Sequence, residues 1–161
     1  MGDDMRPPTA DLNIESTLRH CDPLEPLSDA QIGELASLVT LRSLEEGEKL
    51  FSQNEEARDL CIVESGRLAV RLSAPGGNVI EVFDAGQYRL SGWSALVAPH
   101  VYIADATALE YTTVLLVPAA EAEEVFLKEP VRGYEVMKKL AATISMRLRD
   151  IKEQLIELLE K

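Results

Sequence analysis

At 161 residues, with 16 basic against 28 acidic residues and a net charge of −12, the chain has the size of one domain. It lacks the cationic excess that displaces counterions from nucleic-acid phosphates, so direct nucleic-acid contact is not expected. Two cysteines are too few for a disulfide framework, and no apolar run approaches the roughly 18–20 residues of a membrane span.

Residues 1–12, MGDDMRPPTADL, are expected to be a disordered leader, because polar and acidic residues with Pro7 and Pro8 offer little to bury. They do not have the charged-then-apolar pattern of a signal peptide, which makes the cytoplasm the expected compartment. A short helix is predicted over residues 14–21. After the turn DPLEP, Ser28 and Gln31 form a capping-box pattern, and Ile32, Leu35 and Leu38 recur at helical spacing, which predicts a helix over 29–38.

From Val39 to Val117 the pattern changes to short strands between turn signals, the mark of a closed or double-layered antiparallel β structure. Cys61 sits in the apolar run 60–63 and is expected to be a small core residue. Leu68, Val70 and Leu72 alternate with Arg67, Ala69 and Arg71; Pro75-Gly76-Gly77-Asn78 reverses the chain, and 79–83 returns as the second strand of a hairpin. Residues 104–108 and 112–117 are predicted as the last two strands, bent back at Leu109-Glu110.

Pro118 opens a short acidic helix, PAAEAEEVFLKE, and Pro130 starts the last and longest one. Along it Met137, Ala141, Ile144, Leu148, Ile151, Leu155 and Leu158 stand alternately four and three residues apart, the pattern of a coiled-coil seam. Tyr134, Val136 and Leu140 broaden the apolar face at its start and are expected to dock on the chain's own β structure. A helix of about 30 residues is about 45 Å long. A single β-roll is expected to leave Ile151, Leu155 and Leu158 uncovered, so a parallel two-fold dimer is expected through this helix. The chain then divides into the leader, a β unit with flanking helices over 13–130, and the helix over 131–161.

The stretch Gly47-Glu48-Lys49-Leu50-Phe51, then Asn54, then the apolar strand 60–70 around Gly66, resembles the cyclic nucleotide-binding domain of the catabolite activator protein and FNR-type regulators. The resemblance runs from about Leu18 to Arg149. Asn54 stands where the family has a glycine, and asparagine tolerates the left-handed backbone that the position requires. The resemblance implies a double-stranded β-helix, or jelly roll, with flanking helices and a long C-terminal dimerisation helix. It also implies a phosphate cassette of the form F-G-E-x-A-L followed by R-[ST]-A, in which backbone amides and Arg hold a cyclic phosphate and Glu holds the ribose hydroxyl.

The aligned residues are Ser91-Gly92-Trp93-Ser94-Ala95-Leu96, then Tyr102-Ile103-Ala104. Trp93 replaces the Glu and Tyr102 the Arg; a shift of one residue puts Val101 at the arginine position and restores no cation. Removing one partner of a buried charge pair costs about 2–5 kcal/mol, or roughly thirty-fold to several thousand-fold in affinity. Trp93 is expected to fill the hollow by packing. Backbone donors near Gly92 to Ala95, with Ser91 and Ser94, remain to attract a weak anion, and Arg89 is expected to be an ordinary surface charge.

Neither a nucleophile beside a base, nor G-x-S-x-G, nor a phosphate loop occurs in the sequence, so no catalysis is expected. With two cysteines and with His20 and His100 the only histidines, neither a four-thiolate cluster nor a multi-histidine metal centre is expected, and no cofactor is. The expected function is a regulatory or sensor domain that binds neither cyclic AMP nor cyclic GMP tightly, with a small anion or a partner protein as its ligand. The alternatives are a pure protein-interaction module and the sensor part of a truncated transcription regulator, since Lys161 ends the sequence before a helix-turn-helix.

Overall fold

The computed structural model describes residues 10–161. Helix α1 spans Ala10–His20. The helix expected over 14–21 thus begins four residues earlier and takes in the end of the expected leader, whose residues 1–9 lie outside the described residues. A 3₁₀ turn, Asp22–Leu24, leads to α2, Asp29–Leu38. Here the capping box closes as expected. Ser28 Oγ accepts the Gln31 N–H at 3.2 Å while Gln31 Oε1 accepts the Ser28 N–H at 3.0 Å. The buried Gln31 amide also donates to the Val125 carbonyl at 2.9 Å, so one residue both starts α2 and ties it to a helix almost a hundred positions away.

Among the described residues eight strands follow: β1 Thr40–Leu44, β2 Lys49–Phe51, β3 Asp59–Ser65, β4 Leu68–Ser73, β5 Val79–Ala85, β6 Leu90–Ser91, β7 Asp105–Ala108 and β8 Thr112–Pro118. They form two antiparallel sheets in the orders β1-β8-β3-β6 and β2-β7-β4-β5, the jelly roll expected. The predicted hairpin is β4 and β5, with Val70 opposite Phe83 and a bulge beyond Val70. Its turn is closed by the Ala74 N–H on the Asn78 carbonyl at 2.8 Å. Asn54 adopts φ +73°, the left-handed geometry its position demanded. Its N–H donates to the Tyr102 carbonyl at 2.8 Å and so anchors the far end of the cassette.

The core between the sheets is aliphatic, with Leu44, Leu60, Ile62, Val63, Leu68, Val114 and Leu115 essentially inaccessible to water. Cys21 and Cys61 are buried free thiols, and burial pushes both up to about 12. Because the thiolate is the reactive form, neither should react with a disulfide reagent at pH 8 in the native protein, and both should react after denaturation. Rapid release of the coloured thiolate before denaturant is added would contradict the placement.

Helix α3, Ala119–Lys128, returns over the roll, and α4, Pro130–Leu159, runs for 30 residues. Val136 and Leu140 are buried at its start, as expected. Further along, the expectation that the roll leaves Ile151 uncovered is corrected. Ile144 and Ile151 are both half-buried against the core. The helix stays alongside β5 as far as Gln154, whose Oε1 accepts the Glu81 N–H at 2.9 Å and whose Nε2 bonds the Glu81 carbonyl. Met137, Leu148, Leu155 and Leu158 remain exposed. The seam residues therefore separate into an inward pair and an outward row.

Candidate functional site: an aromatic cassette

The chain enters the cassette from β6 and turns at Gly92, whose φ of +77° is a left-handed geometry that costs L side chains strain. A Cβ there would stand 3.0 Å from the Asp59 carbonyl oxygen and 3.3 Å from Cys61 Sγ, so a glycine is needed for contact as well as for conformation. A 3₁₀ turn, Trp93–Leu96, follows. Of the donors expected to attract an anion, the Ala95 N–H is already bound to the Gly92 carbonyl at 3.1 Å.

Trp93 is buried and stacks on Phe83 of β5, with ring centroids 5.6 Å apart and planes 21° apart. The guanidinium carbon of Arg147, on α4, lies 4.3 Å from the Phe83 ring centroid. This tryptophan packs, as expected. Its neighbours were not foreseen: Phe83 and Arg147 are 64 positions apart, and nothing in the local pattern of either announces the other.

Tyr102 is likewise buried, stacked on Phe51 at 3.9 Å and 14°, and its hydroxyl donates to the Asp59 carbonyl at 3.1 Å. Burial raises the phenol above its ordinary pKa, so it stays neutral. Tyr102 and Gly92 come together, the ring carbon Cε1 lying 3.5 Å from where a Gly92 Cβ would be. Ser91 is buried opposite Cys61 in the β3–β6 ladder, and its Oγ has no hydrogen-bond partner among the described residues. Ser94 is half-buried, Ala95 is buried, and Ile103 is exposed and stands apart from the rest.

Beside Tyr102 opens a cleft of about 180 Å³, lined also by Arg42, Phe51, Arg58, Asp59 and Cys61. Its two guanidinium groups are already engaged. Arg42 bonds Glu48 at 3.5 Å and the Leu50 carbonyl at 3.4 Å, and Arg58 bonds Glu56 at 2.9 Å. Partial burial raises the pKa of Asp59, with Glu121 adding to it. This cleft offers an anion no unoccupied cation.

A larger cavity, about 320 Å³, lies between the end of α1 with the following 3₁₀ turn, residues 87–90 and α4. None of the seven expected cassette positions lines it. Arg89, exposed at the surface as expected, does, together with Arg147. Arg147 is also the cation that the sequence reading missed. Among the described residues no group of three or more His, Cys, Asp or Glu side chains is placed to hold a metal ion, and no helix is long and apolar enough to cross a membrane.

The family model of the cyclic nucleotide-binding domain matches residues 41–129, more than half of the chain. Among solved structures, the sensor domain of the transcriptional regulator DNR from Pseudomonas aeruginosa superposes with a TM-score of 0.76 at 19% identity, over 89% of this chain and 96% of that one. The N-terminal domain of a transcriptional regulator from Streptomyces coelicolor gives a TM-score of 0.66 at 22% identity, over 86% and 94%. The catabolite activator protein of Thermus thermophilus gives 0.69 at 24%, over 84% of this chain and 62% of that one. At these identities the likeness is one of fold. No curated protein matches by sequence.

Proposed function

The chain belongs to the cyclic nucleotide-binding domain family, and from that premise we propose that it is a noncatalytic sensor domain that binds cyclic AMP and cyclic GMP weakly or not at all and dimerises through α4. The observation that carries the reading is the cassette. At the two positions where the family resemblance places a ribose-binding Glu and a phosphate-binding Arg stand Trp93 and Tyr102, both buried and stacked on Phe83 and Phe51. Neither supplies a charge. In this reading the roll and its flanking helices form the sensing unit over residues 13–130, and residues 131–161 form the arm that transmits its state. The domain works among soluble cytoplasmic partners and makes no nucleic-acid contact of its own.

The exposed row Met137, Leu148, Leu155 and Leu158 supports the dimer, since it repeats at seam spacing along a helix whose other face is already committed to the roll. A melting-temperature screen against nucleotides, organic acids and phosphate compounds tests the sensor reading. A ligand that prefers the folded state must raise the transition by mass action. A concentration-dependent rise with an anion other than a cyclic nucleotide is expected; silence across the screen would favour a pure interaction module instead.

A second reading, the sensor part of a longer transcription regulator, is supported by the likeness to sensor domains of such regulators and by the chain spanning 62% of the length of the Thermus protein. Both readings assign the same role to α4.

A further inference from the structure

Two guanidinium groups face the 320 Å³ cavity of a chain whose net charge is −12. Arg89 makes no ion pair among the described residues. Arg147, whose guanidinium carbon lies over the Phe83 ring, has one long ion pair, Nη1 to Asp150 at 3.5 Å, and its Nε is buried without a hydrogen-bond partner. Buried donors are nearly always satisfied, so an orphaned guanidinium nitrogen calls for a partner. The acid in the lining, Asp22, is offset by Lys139 Nζ at 3.3 Å. His20 donates its Nδ1–H to the Ser16 carbonyl at 2.7 Å and stacks on Tyr88 at 4.7 Å, giving the cavity one aromatic wall.

The backbone that presents Arg89 is held under strain. Tyr88 adopts φ +71°, a left-handed geometry rare for an aromatic residue. It is held there by the Tyr88 N–H on the Val63 carbonyl at 2.8 Å and by the Val63 N–H on the Arg89 carbonyl at 3.1 Å. Backbone strain of this kind persists where surrounding structure enforces it, and it concentrates at ligand clamps. Across the cavity Thr143 and Arg147 belong to α4.

We propose that this cavity binds a small, doubly charged oxyanion, a phosphate monoester or a dicarboxylate, between Arg89 and Arg147. Guanidinium is the side chain best shaped for either group, because its planar fork meets two oxygens at once. A volume near the lower end of the range for ligand pockets suits a small metabolite rather than a nucleotide. Because the ligand touches both a turn fixed to β3 and a turn of α4, its binding biases the position of the helix. This last clause rests on the sensor reading.

The test is calorimetric titration of the full chain with inorganic phosphate, glycerol phosphate and succinate, the arms separating phosphate from carboxylate. One probe should saturate at one per chain. Arg89→Gln and Arg147→Gln should each weaken it at least tenfold, while Arg58→Gln, in the neighbouring cleft, leaves it unchanged. Arg89 is exposed, so its variant folds whatever happens at Arg147, and circular dichroism verifies both. No saturation by any probe, or affinity unmoved in Arg89→Gln, overturns the site. Light scattering with the saturating probe separates the two claims: binding that leaves self-association unchanged keeps the site and removes the sensor role.

Discussion

Gly66→Ala is expected to lower the melting temperature by about 6–12 °C. Gly66 adopts φ +93° where β3 passes into β4. An added Cβ would stand 2.4 Å from Thr112 Oγ1, 2.6 Å from Thr112 Cα and 2.6 Å from the Tyr111 carbonyl oxygen. Two of these three obstacles are backbone and cannot rotate away. The third cannot rotate freely either. Thr112 is fully buried, accepts the Arg67 N–H at 3.0 Å and donates to the Glu110 carbonyl at 2.8 Å, so it holds the bend before β8 against the start of β4.

A left-handed alanine costs about 1–3 kcal/mol and overpacking a further 1–3 kcal/mol. A combined loss of about 3 kcal/mol corresponds, at about 2–4 °C per kcal/mol for this size, to the shift stated. Gly76→Ala is the control, because nothing lies within 4 Å of its added carbon and its φ is ordinary. Thermal melts of the two variants should differ by nearly the whole effect; equal melting temperatures would contradict the account.

The second large effect is on assembly. Leu148→Glu combined with Leu155→Glu should convert the proposed dimer to a monomer of half the mass, with unchanged helical content. Leu148 is 67% exposed and Leu155 44% exposed in the single chain, so their removal uncovers no core of its own. In a two-fold pair they contribute four leucines. Burying a leucine is worth about 1.5–3 kcal/mol, so losing four withdraws about 6 kcal/mol or more. At about 1.4 kcal/mol per decade, this raises the dissociation constant by about four decades. Ile144 and Ile151 are the contrasting positions. They pack on the roll, and changing them to Glu should lower the melting temperature as well as weaken assembly. Light scattering across concentrations decides; a wild-type monomer or a dimeric double variant would remove the seam from the account.

What could be read in advance follows a physical division. The capping box at Ser28 and Gln31, the β4–β5 hairpin and the left-handed Asn54 are local demands of the backbone, and residue types announce them within a few positions. The packing of Trp93 was legible because a large apolar indole is usually buried. The start of α1 at Ala10 rather than Ile14 was less legible, since the sequence before Ile14 is too polar to show an apolar period. The contact of Arg147 with Phe83 arises from the way α4 lies along β5, the left-handed Tyr88 from its bond to Val63 of β3, and the cavity from what α4 and residues 87–90 leave between them. They are products of tertiary packing, and neither periodicity nor a motif encodes them.

The retained shell and the lost clamp are tested most directly by calorimetric titration with cyclic AMP and cyclic GMP. In the proposed reading, losing the arginine contact alone costs about 2–5 kcal/mol, and the Glu-to-Trp93 replacement acts in the same direction. The account predicts no saturable heat from either nucleotide at submillimolar concentration. A one-to-one isotherm with a low-micromolar or tighter dissociation constant would contradict it.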